Sequence, residues 1–506
     1  MEKRWKTPQM TAMLAALLCG TGTHLFGLVN ILHNYDDIAQ LPTGYGAGVT
    51  SGRWLLSLLG DLMDKLGGNY NLPLVNGVLF LALIGLAAGL LADIFEIRSR
   101  VHAALLGAVM VVFPSAFSTL LFRYTAVYYG LGIVLAVLAA WTPERVKFGW
   151  LLSALCTACS MGIYQAYVPI TITIFVLRLL QLELLGFDWK RFVRQGLSCC
   201  GALLLGLGLY LLLMKGTLAL YGTQLSDYQG VDQMGVLTLK KLPQLVKKAY
   251  YFSAWMPVKN FWGLASSPFL KLAYGLSELV SVGLVLCLLV EKKRGWDAWL
   301  LCGLLGLLLP LAVSFVIIMC PESDIYTLMV YAYVLVPCIP MILLTCFERQ
   351  RRRVEQVVVV LLALICGCYG YSTNVNYSAL YFSNRQIENY VNGLVTQVRM
   401  TEGFDAEKKW AFLGVIDDPL LSCYWQYEMD YGGEEFTGPM LRRYSWDAWM
   451  WNYCGYMPPL AEETEVSALF ETEEVKAMPC WPSQGSIRVI GDTVVIKFSE
   501  TNVKPN

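Results

Sequence analysis

Long apolar runs separated by short charged connections dominate this chain of 506 residues. A bilayer core needs about 20 predominantly apolar residues per helix, and eleven stretches come close to that length. They cover about residues 10–32, 72–95, 101–118, 125–141, 148–163, 165–186, 197–220, 269–290, 297–319, 325–346 and 354–372. The sequence therefore predicts an all-α polytopic membrane protein, multi-pass in the cell membrane and in contact with the lipid bilayer.

Lysine and arginine residues gather at alternate ends of the predicted spans. Clusters precede span one and follow spans two, four, six, eight and ten, as in Arg145 and Lys147 after span four. Because such clusters stay on the cytoplasmic side, they predict a cytoplasmic N-terminus and extracytoplasmic exits for the odd-numbered spans. The formal net charge is zero, so no basic excess points to a nucleic-acid partner.

The fifth and sixth predicted spans are separated only by YQAYVP, residues 164–169. This segment fits either a turn between two spans or a kink within one longer helix. A single span here would move every later connection to the other side and break the charge alternation. The alternation therefore favours two spans.

Beyond about residue 373 the apolar spans stop, and aromatic and charged residues mix. Apolar spacing predicts a helix over 384–400, a buried strand over 410–416 and a hairpin over 486–498. We expect a membrane region over residues 1–372 and an extracytoplasmic α+β domain over 373–506.

The cysteines of this C-terminal segment are Cys423, Cys454 and Cys480. Outside the cytosol one pair could form a disulfide, and the sequence leaves the choice of pair open. No CxxC pairs in the chain have zinc-site spacing, and no motif for a nucleotide or another cofactor is present. We expect neither a metal nor a cofactor.

A polar segment, HNYDDIAQLPTGYGAGVTSGRW, follows the first span and carries the adjacent Asp36 and Asp37, with Tyr35 beside them and Arg53 near its end. Ionisable groups crowded at a membrane face are costly and mark a candidate site. A carboxylate whose pKa is raised by a like-charged neighbour suits general-base transfer, and a cation can stabilise a departing phosphate. A helix cap or a turn in a solvated loop is the alternative interpretation.

Two more cations lie on the predicted outer side, against the charge rule. Arg123 is in the short connection FRYT, and Lys259 is in a lysine-rich and aromatic connection over 221–270. Each fits either contact with a lipid-linked phosphate or a position at the lipid headgroups. Residues 53–66 have the pattern of an amphipathic helix in the membrane interface.

These features resemble the membrane glucosyltransferases of the type II O-antigen-modifying (GtrII-like) family, which belong to the GT-C class. The resemblance rests on NYDDI followed by GRW (52–54), on YQAY (164–167) and on the layout of the spans, and it covers about residues 10–372. It implies an inverting transfer of a hexose, typically glucose, from a polyprenyl-phosphate-sugar donor to a cell-surface glycan acceptor.

The resemblance also implies roles for individual residues. Asp36 and Asp37 match the acidic pair of the family, and Arg53 matches the arginine that closes the loop. Tyr164 and Gln165 match a Tyr-Gln element that could contact the sugar, although an interfacial anchor with helix–helix hydrogen bonding explains them equally well.

Two other functions share some of these features. A lipid-linked oligosaccharide flippase or other transporter needs charges near the middle of its spans, and these spans have almost none there. A surface-polysaccharide polymerase commonly uses outer arginine and histidine residues, so the early acidic pair argues against it. The sequence leaves open the sugar, the acceptor, the base of the acidic pair and the oligomeric state.

Overall fold

A computed structural model of the chain describes residues 7–227, 240–321, 323–414 and 445–501. The described residues form two compact units. The first, called the membrane unit, comprises residues 7–31 and 42–377. The second, called the carboxylate unit, comprises residues 32–41 together with the described residues from 378 onward.

Most described residues are helical. The α-helices are α1 (Thr7–Val29), α2 (Tyr35–Ala39), α3 (Trp54–Leu66), α4 (Pro73–Ile94), α5 (Arg100–Val112), α6 (Pro114–Leu120), α7 (Arg123–Arg145), α8 (Gly149–Ile163), α9 (Val168–Leu185), α10 (Trp189–Tyr221), α11 (Leu242–Trp255), α12 (Pro268–Glu291), α13 (Trp296–Val313), α14 (Phe315–Met319), α15 (Ile339–Leu344), α16 (Arg352–Arg399), α17 (Trp446–Trp449), α18 (Glu463–Phe470) and α19 (Glu473–Lys476). Three-residue-per-turn helices cover Val49–Ser51, Gln165–Tyr167 and Thr327–Cys338, and a π-helix covers Met450–Cys454. The strands are β1 (Lys409–Leu413), β2 (Ile487–Ile490) and β3 (Thr493–Lys497).

Among the described residues, nine helical segments are long and apolar enough to cross a membrane. The pair α5 and α6 is bent by 46° and would form a tenth span. The bend falls at Phe113, which is extended because the ring of Pro114 disfavours a helical residue before it. Every predicted span lies on helix, but α8, with 15 residues, is shorter than a typical span. The predicted number of eleven is therefore not confirmed.

Helices α8 and α9 run in opposite directions. Near the end of α7, Thr142 Oγ1 donates to the carbonyl of Gly149, the first residue of α8, at 3.0 Å. The guanidinium of Arg178, in the second half of α9, binds the carboxylate of Glu144 at 2.8 and 2.7 Å. The start of α8 and the end of α9 therefore lie at the same end of α7, so the chain reverses at YQAY. Tyr164 has an extended backbone that ends α8.

Ion pairs join the helix ends at which the sequence has basic clusters. Each pair links a cation in or beyond one span with a carboxylate at the end of another. The pairs are Arg145–Asp93, Arg178–Glu144, Arg294–Glu183 and Arg351–Glu291. The exits of spans two, four, six, eight and ten therefore share one end of the membrane unit, called the basic end. The charge alternation predicted this common end, and the side of the membrane that it faces stays a prediction.

Helix α16 continues for 48 residues, past the predicted end of the last span at residue 372. Its first part belongs to the membrane unit and its last part to the carboxylate unit. The change from apolar to polar side chains at this position does not interrupt the helix, and the amides of Asn374 and Asn376 donate to the carbonyls of Gly370 and Ser372, four residues earlier.

The carboxylate unit contains a three-stranded sheet in the order β1-β3-β2. Strand β1 pairs with β3 in parallel, and β2 pairs with β3 antiparallel through a turn at Gly491, which has φ +60°. Glycine adopts this left-handed backbone without a steric penalty. The helix, the strand and the hairpin predicted for this segment are thus present in its described residues.

Candidate active site

The acidic pair lies on α2, a helix of five residues. The side-chain oxygen of Asn34 caps this helix by accepting hydrogen bonds from the backbone N–H groups of Asp36, at 2.9 Å, and Asp37, at 2.6 Å. An asparagine is among the best residues for this position. The cap that the alternative interpretation assigned to the acidic pair is therefore supplied by Asn34.

The two carboxylates have different environments. Asp36 is half-buried, whereas Asp37 is completely buried. The Oδ2 atom of Asp37 lies 3.0 Å from Nδ1 of His33, and Nε2 of His33 lies 2.9 Å from the hydroxyl of Tyr453. A buried carboxylate is stable when it is paired and hydrogen-bonded, and His33 provides such a partner.

His33 is held in place by residues from distant parts of the chain. Its backbone N–H donates to the side-chain oxygen of Asn384 at 2.6 Å, and the Asn384 amide donates back to the His33 carbonyl at 2.9 Å. The ring of Trp449 meets the His33 ring edge-on at 5.7 Å and stacks with Tyr453 at 5.0 Å. Sequence reasoning missed these three partners, and the local signal for two of them is the aromatic run WDAWMWNYC at 446–454.

In the membrane unit, the GRW motif packs against the YQAY motif. The Gln165 amide donates to the carbonyl of Ser51 at 2.7 Å and to the hydroxyl of Tyr210 at 3.1 Å. The Tyr210 hydroxyl in turn donates to the carbonyl of Gly52 at 3.2 Å. Gly52 has φ +72°, and a Cβ atom there would lie 2.8 Å from both the Gln165 nitrogen and the Tyr210 oxygen. Position 52 therefore requires glycine for two reasons: its backbone is left-handed, and a Cβ atom would displace the side chains of Gln165 and Tyr210.

Arg53 contacts two stacked tyrosines, Tyr164 through its ring and Tyr129 through its hydroxyl. Its guanidinium carbon is 4.9 Å from the ring centre of Tyr164, and its Nη1 donates to the hydroxyl of Tyr129 at 3.0 Å. The two rings are nearly parallel, with centres 4.7 Å apart. Burial raises the pKa of Tyr164 well above its usual value, so its phenol is neutral and presents a ring face to the cation. Arg53, Tyr129 and Tyr164 are called the arginine–tyrosine cluster.

The arginine–tyrosine cluster can accept an anion. The Nε atom of Arg53 is buried and has no hydrogen-bond partner among the residues that the structure describes. A guanidinium stays protonated and has a donor geometry that matches phosphate or carboxylate. Tyr129 is 16 positions before Arg145 on α7, about 24 Å at 1.5 Å per residue, so the cluster lies far from the basic end.

The remaining predicted residues lie in different surroundings. Tyr35 is half-buried at the start of α2, and Arg123, at the start of α7, is only 3% exposed, so it does not extend to the surface. Lys259 is exposed, and its amine donates to the hydroxyl of Tyr251 at 2.6 Å and lies near Trp255. By contrast, the contacts of the GRW and YQAY motifs bring Arg53, Tyr164 and Gln165 together.

Within the described ranges, no three His, Cys, Asp or Glu side chains come together as a possible metal site. The thiols of Cys454 and Cys480 are both free. Cys423 lies outside the described residues, so the predicted disulfide stays a prediction.

The helices of the membrane unit define a multi-pass membrane protein. Residues 25–337 match the family model described as Glucosyl transferase GtrII, and this match covers more than half of the chain. The chain belongs to this family, and the match confirms the resemblance seen in the sequence. The protein is therefore a membrane glycosyltransferase of the kind that transfers glucosyl groups. The match includes the acidic pair, Arg53 and YQAY but ends before the carboxylate-unit residues that follow α16. No curated protein and no solved structure is significantly similar to the chain.

Proposed function

We propose that this protein is an inverting GT-C-type glucosyltransferase that moves glucose from a polyprenyl-phosphate carrier to a cell-surface glycan. The observation that carries the proposal is the arginine–tyrosine cluster, in which a fixed guanidinium keeps one buried N–H donor without a partner among the described residues. Such a group suits a phosphate leaving group, because donors already in position stabilise developing charge without rearranging.

The acidic pair supplies the base of the proposed reaction. An inverting transfer forms the new bond directly between the acceptor oxygen and the anomeric carbon, so the acceptor hydroxyl must lose a proton. Asp36 and Asp37 are the carboxylates that we assign to this step, as the base or as its partner.

The other predicted residues belong to substrate contact in this proposal. Tyr164 and Gln165 lie in or beside the arginine–tyrosine cluster, and we assign them to the donor end. We also assign Tyr35 and Arg123 to substrate contact. We assign Lys259 to binding the lipid-linked phosphate before this group reaches the site.

The proposal includes a membrane orientation. If the basic end faces the cytoplasm, as the positive-inside rule predicts, the arginine–tyrosine cluster lies toward the extracytoplasmic side. A polyprenyl-phosphate-sugar presented on the outer leaflet meets the cluster there, and we expect transfer without a nucleotide, metal or other cofactor.

The test is transfer of labelled glucose from synthetic polyprenyl-phosphate-glucose in acceptor-bearing membranes that contain the protein. Parallel reactions receive UDP-glucose instead, after the endogenous lipid carrier has been depleted. Wild type is compared with Asp36→Asn, Asp37→Asn and Arg53→Gln, and protein amounts are matched by blot. EDTA is added to one set of reactions to test the expected independence of metals.

We expect transfer from the lipid-linked donor by wild type and its loss in the variants. Transfer from UDP-glucose alone would contradict the assigned donor. Full activity in both Asn variants would remove the acidic pair from the reaction, and inhibition by EDTA would contradict the expected independence of metals.

A further inference from the structure

A continuous hydrogen-bonded chain runs through the carboxylate unit from a half-buried tyrosine to a fully buried carboxylate. Its members are Tyr453, His33 and Asp37, with heavy-atom distances of 2.9 Å and 3.0 Å. Tyr453 is half-buried, whereas His33 and Asp37 are both fully buried. Tyr453 is therefore the most exposed residue of the three.

The arrangement determines which nitrogen of His33 carries the proton. A carboxylate is an acceptor, so Nδ1–H donates to Asp37 Oδ2, and the lone pair of Nε2 accepts the O–H of Tyr453. This is the tautomer that lets an imidazole take a proton at Nε2 while a carboxylate stabilises the resulting imidazolium.

The surrounding contacts hold the chain in this geometry. Asn384 fixes the His33 backbone through two hydrogen bonds, and Trp449 packs against the rings of both His33 and Tyr453. Tyr453 lies on the π-helix Met450–Cys454, a rare backbone form that is frequent at functional sites. Three separate segments of the chain thus hold these hydrogen-bonded side chains in place.

We propose that Tyr453, His33 and Asp37 form a proton relay in which Tyr453 contacts the acceptor hydroxyl. This inference rests on the proposed function and makes it more specific. Asp37 then acts through His33 as a positioning residue, because its side chain is buried and bonded to the imidazole. The sugar hydroxyl of a surface glycan is the ligand class that meets Tyr453.

The acceptor O–H bond breaks, and its proton passes to the Tyr453 oxygen as the Tyr453 proton moves to Nε2 of His33. The acceptor oxygen forms a bond to the anomeric carbon, and the phosphate leaves with the electron pair of the broken C–O bond. His33 becomes an imidazolium paired with Asp37, and the proton returns through Tyr453 to water after the product leaves.

His33 contacts two titratable groups, Asp37 and Tyr453, and Asp36 precedes Asp37 on α2, whereas Asn384 and Trp449 do not ionise in this pH range. Activity should therefore rise with pH as His33 loses its proton. Removing the charge of Asp37 destabilises the imidazolium, which lowers the pKa of His33. The acid limb of the pH–rate profile should then move to lower pH while the maximal rate falls.

The experiment measures kcat and donor KM against pH for the full-length protein in lipid nanodiscs, with labelled polyprenyl-phosphate-glucose and membrane-derived acceptor glycan. The variants are Tyr453→Phe, His33→Gln and Asp37→Asn. Tyr456→Phe is the matched control, since it also removes a tyrosine hydroxyl from the carboxylate unit, one that donates to the Ala406 carbonyl at 2.9 Å. Thermal unfolding of each variant reports whether it is folded.

We expect folded Tyr453→Phe to lose about 10²-fold or more in kcat with an unchanged donor KM, and Tyr456→Phe to behave as wild type. Asp37→Asn should be slower and show the shifted acid limb. A normal rate in Tyr453→Phe alongside loss in Asp37→Asn would overturn the relay while leaving the glucosyltransferase proposal intact. If Tyr453→Phe does not fold, an unshifted acid limb in folded Asp37→Asn would overturn the relay. A wild type that transfers nothing from this donor would instead contradict the proposed function.

Discussion

The side-chain amide of Gln165 donates a hydrogen bond of 2.7 Å to the backbone carbonyl of Ser51. This bond joins the reversal between α8 and α9 to the turn that leads into α3. The adjacent residues on the two sides are Tyr164 and Arg53, which lie face to face in the arginine–tyrosine cluster. The position of Arg53 therefore depends on the contact between two motifs that are more than 100 residues apart.

Replacing Gln165 with leucine should weaken both stability and transfer. The change leaves the Ser51 carbonyl and the Tyr210 hydroxyl without this partner, and a buried polar group that loses its partner costs about 1–3 kcal/mol. Thermal unfolding in detergent and the transfer assay measure the two effects. Asn374→Leu is the control, because Asn374 is an exposed amide of the same unit. Equal effects of the two changes would contradict the importance of the Gln165 contact.

Replacing Gly52 with alanine should be more harmful than the same change at Gly222. Both glycines have left-handed backbone, with φ +72° and +62°, but only the Cβ at Gly52 has neighbours within 4 Å in the described part of the chain. The strain common to both is about 1–2 kcal/mol. At Gly52 the new methyl group also displaces the Gln165 amide and the Tyr210 hydroxyl. The difference between the two unfolding temperatures measures this packing contribution, and no difference would contradict it.

Replacing Arg53 with lysine should raise the donor KM by about 10- to 100-fold, because lysine keeps the charge but loses the planar donor group and its contact with the Tyr164 ring. Arg385→Lys is a matched control, since Arg385 also lies over a tyrosine ring, that of Tyr381, but is exposed on the carboxylate unit. Steady-state kinetics with polyprenyl-phosphate-glucose separates KM from kcat. An unchanged KM in Arg53→Lys would remove Arg53 from donor binding.

Replacing Arg178 with methionine should destabilise the membrane unit without a direct effect on substrate binding. The change leaves the largely buried carboxylate of Glu144 with only its longer contact to Arg145, at 3.6 Å. Breaking a buried pair typically costs about 3–5 kcal/mol, and we expect a loss toward the lower end of that range because Arg145 remains. Arg351→Met removes a comparable but exposed pair with Glu291, where about 0–1 kcal/mol is expected. Unfolding temperatures compare the two variants, and the double variant Arg178→Met with Glu144→Gln should recover part of the loss. Equal destabilisation by the two single variants would contradict this role for burial.

Local sequence was sufficient to predict most secondary structure. Apolar runs predicted helical spans because hydropathy over about 20 residues is a property of one segment, and each predicted span lies on helix. The turn at Gly491 could also be predicted from local sequence, because left-handed backbone favours glycine. The lengths of the helices were harder to predict, as the short α8 and the long α16 show. The end of a helix also depends on the residues that pack against it.

The sequence by itself determined that this chain is a membrane protein with an acidic segment after its first span, and it carried the family resemblance that the comparison confirmed. Only the tertiary structure decided that Asp37 is buried against His33 and that Asn384 and Tyr453 bind His33. The same holds for the position of Arg53 over Tyr164. These contacts join residues far apart in the chain, and the burial and hydrogen bonding that follow from packing them have no local sequence period that could have predicted them.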